Sequence, residues 1–388
     1  MIKPAIIIIA YNRPISLNRL LNSLDAANYD ENDVLLIISI DYQASKENKK
    51  VLKIAENYNW KHGTKKIIKH SKNLGLRAHV ISCGDLVNIY ENIIVLEDDL
   101  FVSPYFYKYA NDALKFYNKT ESIGGISLYN HKRNFLNTIP FELIPDSNDV
   151  FFLQIASSWG QAWSKKQWLG FKNWYNNQPD DATCVLPLEV KNWPESSWLK
   201  YYICYLIWTN KYFVYPNKSL TTNFGDNGTH NLDNNAEYQV PLFFGNKYTF
   251  IDIKKSINVY DVYFELLPSR LKLLFPKFNN YDFTVDLYGK KNLNKIKSKF
   301  ILTSKYYLKK PLLSFGLELK PSILNILFEI QGNVFNFGEK DDFKNTTSLK
   351  IYDYKFFNYY YSKLSMKSLI KLIIRRIKKI VKKMIKFD

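Results

Sequence analysis

The stretch Ile93-Ile94-Val95-Leu96-Glu97-Asp98-Asp99-Leu100-Phe101-Val102 decides how this chain is read. Ile93 to Leu96 carry no charge, so they suit a strand buried on both faces. The strand runs directly into three adjacent carboxylates, Glu97, Asp98 and Asp99. Carboxylates crowded at the end of a buried strand repel one another and lose hydration. A hard divalent cation relieves both costs, because it takes oxygen ligands and bridges to phosphates. A solvated acidic turn is the plain alternative. The site reading gains weight because open α/β sheets bind ligands at the carboxyl ends of their strands.

Working outward, Ala5–Ala10 is a second continuous apolar run and reads as a central strand. Tyr11-Asn12-Arg13-Pro14 then forms a loop, since proline cannot extend the ladder. Leu17, Leu20, Leu21 and Leu24 recur at helical spacing, with Ser16 as the expected N-cap. Val34–Ile40 reads as a strand ending at Asp41, residues 46–58 as a helix, and Lys65–Ile68 as a short strand. Asn73-Leu74-Gly75-Leu76-Arg77 turns into a helix carrying Val80, Cys83, Val87 and Tyr90. This alternation predicts an α/β fold, a mostly parallel Rossmann-like sheet with helices on its faces.

After Asp99 the pattern predicts a helix opening at Ser103-Pro104, with Pro104 in the first turn. Ile123–Leu128 and Phe151–Ile155 read as strands, and 130–150 as a loop. Tryptophans cluster at Trp159, Trp163, Trp168 and Trp174, and again between Trp193 and Trp208. The polar run from Thr221 to His230 reads as a loop.

Charge divides the chain. Residues 1–240 carry 25 Lys+Arg and 24 Asp+Glu, or +1, and residues 241–388 carry 29 and 12, or +17. The expected organisation is a neutral globular domain over 1–240, a small α+β accessory domain over 241–361, and a basic helix over 362–388. In that last part ten Lys or Arg accompany Met366, Ile370, Ile373, Ile377, Ile380, Val381 and Met384 at three- and four-residue steps. A basic amphipathic helix of this kind suits an anionic membrane surface; an RNA-binding tail and a helix docked on the protein's own body are the alternatives. A nucleic-acid groove places its excess charge on the folded body, so with a body near +1 no nucleic-acid partner is expected. No stretch reaches the roughly 18 apolar residues of a membrane-spanning helix. Cys83, Cys184 and Cys204 have neither disulfide nor metal spacing and are expected as buried free thiols. The expected location is cytoplasmic, peripheral on the inner face of the cell membrane.

Polar groups thus end four predicted elements: Tyr11-Asn12-Arg13, Asp41, Arg77 and Glu97-Asp98-Asp99. Arg13 and Arg77 suit a pyrophosphate, Asp41 a base or ribose, and Asp99 with a divalent cation a leaving diphosphate. No GxGxxG or GxxxxGK[ST] loop is present, which argues against dinucleotide dehydrogenases and P-loop nucleotidases. His62, His70, His79 and His131 show no metal-ligand spacing.

With these residues in view, residues 4–232 resemble the GT-A glycosyltransferases, especially the N-acetylglucosaminyltransferase I group and bacterial (family 2-like) enzymes of surface-polysaccharide synthesis. The likeness rests on Ile9-Ala10-Tyr11-Asn12-Arg13-Pro14, Ile40-Asp41, Val95-Leu96-Glu97-Asp98-Asp99-Leu100 and Ile126-Ser127-Leu128-Tyr129-Asn130. It also rests on Ser158-Trp159-Gly160-Gln161-Ala162-Trp163 and on Asn223-Phe224-Gly225 through Gly228-Thr229-His230. The resemblance implies an inverting transferase using Mn2+ or Mg2+ and a nucleotide sugar, commonly UDP-linked. Its acceptor would be a glycan or a lipid-linked sugar in capsule, lipopolysaccharide or O-antigen synthesis. It implies Asp99 as metal ligand, Glu97 and Asp98 as contacts to donor sugar and ribose, Asp41 as reader of the uracil ring, and Arg13 as a phosphate or ribose contact. Tyr11, Asn12 and Arg77 complete the expected donor set, and Trp159 and Trp163 the acceptor side. Relatives often carry Asp in the position held here by Leu199. The general base is therefore expected at Glu195, with Asp180, Asp181 and His230 as alternatives. An inactive GT-A subunit and a nucleic-acid-associated basic protein are the competing functional readings.

Overall fold

The computed structural model describes residues 3–29, 33–226, 238–347, 358–360, 370, 373–374 and 377. It divides into two compact units. One comprises residues 1–136 and 143–280, the other 137–142 and 281–388.

The first unit is built on a nine-stranded mixed sheet. Strand β1 (Ala5–Ala10) is buried throughout and pairs in parallel with both β2 (Leu36–Ile40) and β4 (Asn92–Glu97). Its Ile-rich sequence is thereby explained, since both faces are covered and every position is apolar. β3 (Lys65–Lys69) pairs in parallel with the outer side of β2 and forms the sheet edge. Its Lys65, Lys66 and Lys69 suit an edge, where charged side chains oppose further strand pairing. Beyond β4 the sheet continues through Gln161–Ser164, Ile123–Ser127, Tyr212–Pro216, Val150–Leu153 and Val259–Tyr260. Pairing is antiparallel on both sides of Gln161–Ser164 and between Val150–Leu153 and Tyr212–Pro216, and parallel elsewhere.

Helix α1 (Pro14–Asp25) lays Leu17, Leu20, Leu21 and Leu24 into the core. Its N-cap is Arg13 rather than the expected Ser16, because Pro14 already occupies the first turn. Ser16 instead donates its hydroxyl to Asp226 Oδ2 at 2.7 Å. Helix α2 (Lys46–Asn57) starts at Ser45, whose Oγ accepts the Asn48 amide at 3.1 Å. Helix α3 (Leu76–Gly84) follows Gly75.

Several stretches differ from their sequence reading, and the helix expected to carry Val80, Cys83, Val87 and Tyr90 is two, Leu76–Gly84 and Val87–Tyr90. After Asp98 and Asp99 the chain forms a short strand, β5 (Leu100–Val102), and the next helix begins only at Phe106, so Pro104 is outside it. Thr221–Asn223 is not loop but the antiparallel partner of β5. Long-range pairing made these strands; neither three-residue segment carries a local periodicity. The charge step at residue 240 is also not a unit boundary. Val259–Tyr260 adds the last strand of the sheet, and Phe243, Tyr248, Phe250 and Ile251 pack on the main core. Cys83 and Cys204 are buried free thiols, whereas Cys184 is exposed.

The second unit carries its own four-stranded sheet, ordered Phe283–Asp286, Phe300–Thr303, Phe335–Glu339, Leu313–Phe315. Asp286 is buried there, accepting from Thr303 Oγ1 at 3.0 Å with Lys305 Nζ 3.8 Å away. Most of 362–388 lies outside the described residues; Ile370, Ile373, Ile374 and Ile377 are helical and exposed.

Candidate functional site

The carboxyl ends of β1, β2 and β4 open into a cleft of about 600 Å³. Three successive turns supply its floor: Tyr11, Asn12 and Arg13 after β1, Asp41 after β2, and Glu97, Asp98 and Asp99 at the end of β4. Parallel pairing aligns the three strand ends, so residues up to 88 positions apart meet, as the switch point of an open α/β sheet requires.

The centre is electrostatic. Asp98 and Asp99 are 1% and 8% exposed. Arg13 spans them, with Nη1 donating to Asp99 Oδ2 at 2.8 Å and Nη2 to Asp98 Oδ1. Each carboxylate keeps one buried oxygen, Asp98 Oδ2 and Asp99 Oδ1, without a hydrogen-bond partner among the described residues. Burial pushes the Asp98 carboxyl up to about 6, against the pull of Arg13. Burial and the neighbouring Asp99 push Glu97 up to about 8. Burial disfavours the Arg13 charge, but Asp98, Asp99 and Glu97 outweigh it and hold the guanidinium protonated more firmly than usual.

Asp41 lines the cleft and is engaged by three backbone amides. Its Oδ1 accepts the amides of Tyr42 and Leu74, both at 2.9 Å, and its Oδ2 accepts that of Gly75 at 3.1 Å. The carboxylate therefore fastens the segment before α3 to the end of β2. Gly75 has φ +76°, and a side chain there would point into open space on the cleft. A ligand can approach the backbone at that point. Asn73 joins this wall by donating to Tyr11 Oη at 2.9 Å. His79 lines the cleft beneath, with Nε2 2.8 Å from Ser39 Oγ, and burial pushes it down to about 4. It is neutral at physiological pH.

The opposite wall is aromatic. Trp159 is half-buried and packs its ring 4.6 Å from that of Tyr238. Gly160 at φ +94° lets the chain turn here; a Cβ would meet Thr221 Cγ2 at 2.8 Å. Asn223, Gly225 and Asp226 complete this side, with Asp226 held by Ser16 and Arg19.

Of the expected residues, the cleft gathers Tyr11, Asn12, Arg13, Asp41, Glu97, Asp98, Asp99 and Trp159. Trp163 is not among them: it is fully buried, stacked on Tyr202 at 5.6 Å, and belongs to the core. Arg77 does not line the cleft either; its guanidinium lies 5.1 Å over the Tyr201 ring. Glu195 lies beside cleft-lining Ser196, with its carboxylate taken by Lys200 Nζ at 2.6 Å and by the Tyr201 hydroxyl. These donors lower its pKa. Asp180 and Asp181 are exposed and do not line the cleft. His230 lies outside the described residues.

Sequence reasoning missed His79, Asn73, Asp226 and Tyr238. His79 had a findable signal, as a polar residue one turn into the helix that follows Gly75. Asp226 and Tyr238 reach the cleft only through tertiary contacts.

Among the described residues no cluster of three or more His, Cys, Asp or Glu is arranged to hold a metal ion. The two orphaned oxygens nonetheless fit a cation completed by ligand oxygens, since both are buried, anionic and unpaired within the described structure.

No protein-family model matches the chain, and no curated protein does. Among solved structures, S. aureus TarS 1-349 is similar at 14% identity and TM-score 0.35, over 56% of this chain and 59% of that one. The same protein in complex with UDP-GlcNAc gives 13%, 0.35, 58% and 60%. The mannosyltransferase PcManGT from Pyrobaculum calidifontis, in complex with GDP-Man and Mn2+, gives 12%, 0.30, 42% and 45%. The chain thus spans three-fifths or less of these proteins. Likenesses this distant carry no argument about activity.

Proposed function

We propose that this chain is a glycosyltransferase that binds a nucleotide sugar, with UDP-linked donors the first to test, and transfers the sugar with inversion to a glycan or lipid-linked acceptor. The observation that carries this reading is the buried Asp98–Asp99 pair at the end of β4, bridged by Arg13 and holding two oxygens with no hydrogen-bond partner among the described residues, which open a place for a cation.

The charge balance makes a cation useful. Asp41, Asp98, Asp99 and Asp226 line the cleft with Arg13 among them. An incoming diphosphate meets an excess of carboxylate there, which repels it unless positive charge is added. Asp99 and Asp98 would hold Mn2+ or Mg2+. A bound cation of this kind neutralises the charge developing on a leaving diphosphate. Arg13 offers a planar fork of donors to phosphate oxygens. Tyr11, Asn73 and the segment fastened by Asp41 provide the wall for the base. Trp159 and Tyr238 present aromatic faces on which a sugar ring can stack.

Glu195 is the proposed base for the acceptor hydroxyl. Its contacts with Lys200 and Tyr201 secure the deprotonated form at neutral pH, at some cost in basicity. The acceptor belongs to surface-glycan synthesis in this reading. The basic C-terminal segment, with Ile370, Ile373, Ile374 and Ile377 exposed, brings the enzyme to an anionic membrane surface where lipid-linked acceptors reside. No helix among the described residues is long and apolar enough to cross a membrane.

The direct test is a panel of nucleotide sugars with Mn2+, read by thermal shift and by release of nucleoside diphosphate. Asp99→Ala should keep its far-UV circular dichroism and lose metal-dependent donor binding. Donor binding that is unchanged in Asp99→Ala with chelator present would end the metal-dependent reading.

A further inference from the structure

We infer that Arg13 is a built-in counter-ion of the Asp98–Asp99 pair, and that it competes with a divalent cation until an anionic donor arrives. The inference rests on the cation site proposed above and adds a role for a residue that is not one of its cation ligands.

Geometry comes first. The guanidinium is a rigid planar fork, and its two ends reach two different carboxylates, Asp99 Oδ2 at 2.8 Å and Asp98 Oδ1. Arg13 is only 22% exposed along its side chain, so water screens these contacts weakly. It stands at the N-cap of α1, ahead of Pro14, where its carbonyl accepts the Leu17 amide at 3.0 Å while its side chain makes no cap contact. Among the described residues no other cation bridges the pair: Arg19 is committed to Asp226 and stacks 3.7 Å from the Phe224 ring.

Charge decides the consequence. A cation that takes the orphaned oxygens Asp98 Oδ2 and Asp99 Oδ1 sits on carboxylates whose other oxygens already hold a guanidinium. Two positive groups then share the same two acids at close range, and each weakens the hold of the other. A diphosphate reverses this. It supplies acceptor oxygens to both, so Arg13 can turn from the acids to the phosphates while the cation takes the pair. Cation and nucleotide affinity are therefore coupled, and by reciprocity each raises the other. In the absence of nucleotide the acids are already neutralised in part, which keeps the empty cleft from stranding two bare buried charges.

The experiment needs neither a known sugar nor catalysis. MnCl2 is titrated into the full-length protein and free Mn2+ is followed by its electron paramagnetic resonance signal, with and without UDP. Arg13→Gln should bind Mn2+ at least about tenfold more tightly than the wild type without nucleotide, since a neighbouring positive charge is gone. The gain in Mn2+ affinity on adding UDP should shrink in the same variant. Arg13→Lys, which keeps a charge but not the fork, should fall between the two. Circular dichroism of each variant confirms the fold. Equal or weaker Mn2+ binding by Arg13→Gln overturns the inference, and so does an absence of binding in all three proteins. Tighter binding by Arg13→Gln in a protein that transfers no sugar leaves the inference standing and removes the proposed activity instead.

Discussion

Replacing Asp41 by Ala separates two roles for this residue, direct reader of a base and clasp of the cleft wall. The wild-type carboxylate accepts three backbone amides at 2.9, 2.9 and 3.1 Å and is 4% exposed. Hydrogen bonds to a charged acceptor contribute about 1.5–3 kcal/mol each. The three share one acceptor, and Tyr42, Leu74 and Gly75 are all partly solvent-accessible, so water recovers much of the loss. The expected cost is about 3 kcal/mol rather than their sum. Urea unfolding followed by tryptophan fluorescence reads it as a lower midpoint at unchanged slope. Nucleotide affinity should fall along with stability, because Asn73 to Gly75 lose their anchor. Asp41→Asn should be intermediate, since its Oδ1 can still accept while its amide nitrogen opposes the Gly75 N–H. A variant within about 0.5 kcal/mol of wild type would refute the clasp. If such a stable variant also failed to bind nucleotide, direct reading of the base would stand in its place.

Three further outcomes are expected. Glu195→Gln should slow transfer roughly 10²-fold at unchanged donor affinity in steady-state kinetics, the scale of losing a general base; an unchanged rate would move the search to Asp180, Asp181 and His230. Glu97 and Asp98 carry folded pKa values of about 8 and about 6, above the ordinary carboxylate range, so the folded state keeps protons that the unfolded chain releases. Their contribution to stability is therefore full below about pH 4 and is lost as pH rises through that range towards those values. Denaturation at pH 5 to 8 should show Glu97→Gln with a flatter decline than wild type, by up to about 1.4 kcal/mol per pH unit. His79 and His131, held neutral by burial, slope the other way in both proteins and cancel in the comparison. Deleting residues 363–388 should leave donor binding intact and abolish co-sedimentation with anionic liposomes. Equal binding of the full-length protein to neutral and anionic vesicles at low salt would count against membrane attachment.

Much of the central sheet and the acidic heart of the cleft were legible in the residues. The runs Ala5–Ala10 and Ile93–Leu96 are buried on both faces, so each position had to be apolar, and a local pattern sufficed. Glu97, Asp98 and Asp99 announced themselves because charge adjoining such a run has few benign explanations. The same one-dimensional reading identified Tyr11, Asn12 and Arg13 as loop residues after β1 and Asp41 as the end of β2, and the topology brought them together.

What the tertiary structure alone decided were the pairings. A tryptophan reads alike whether it walls a cleft or fills a core, and only packing sent Trp159 to the first and Trp163 to the second. Arg13 was legible as a cation in the loop after β1 but not as the bridge between Asp98 and Asp99, which joins residues 85 and 86 positions apart. Two of the three amides that claim Asp41 come from 33 and 34 residues away, and Asp226 meets Ser16 across 210. Sequence periodicity records which face of an element is buried. It holds no record of which distant donor or acceptor will be waiting there, because that is settled by how the sheet orders its strands.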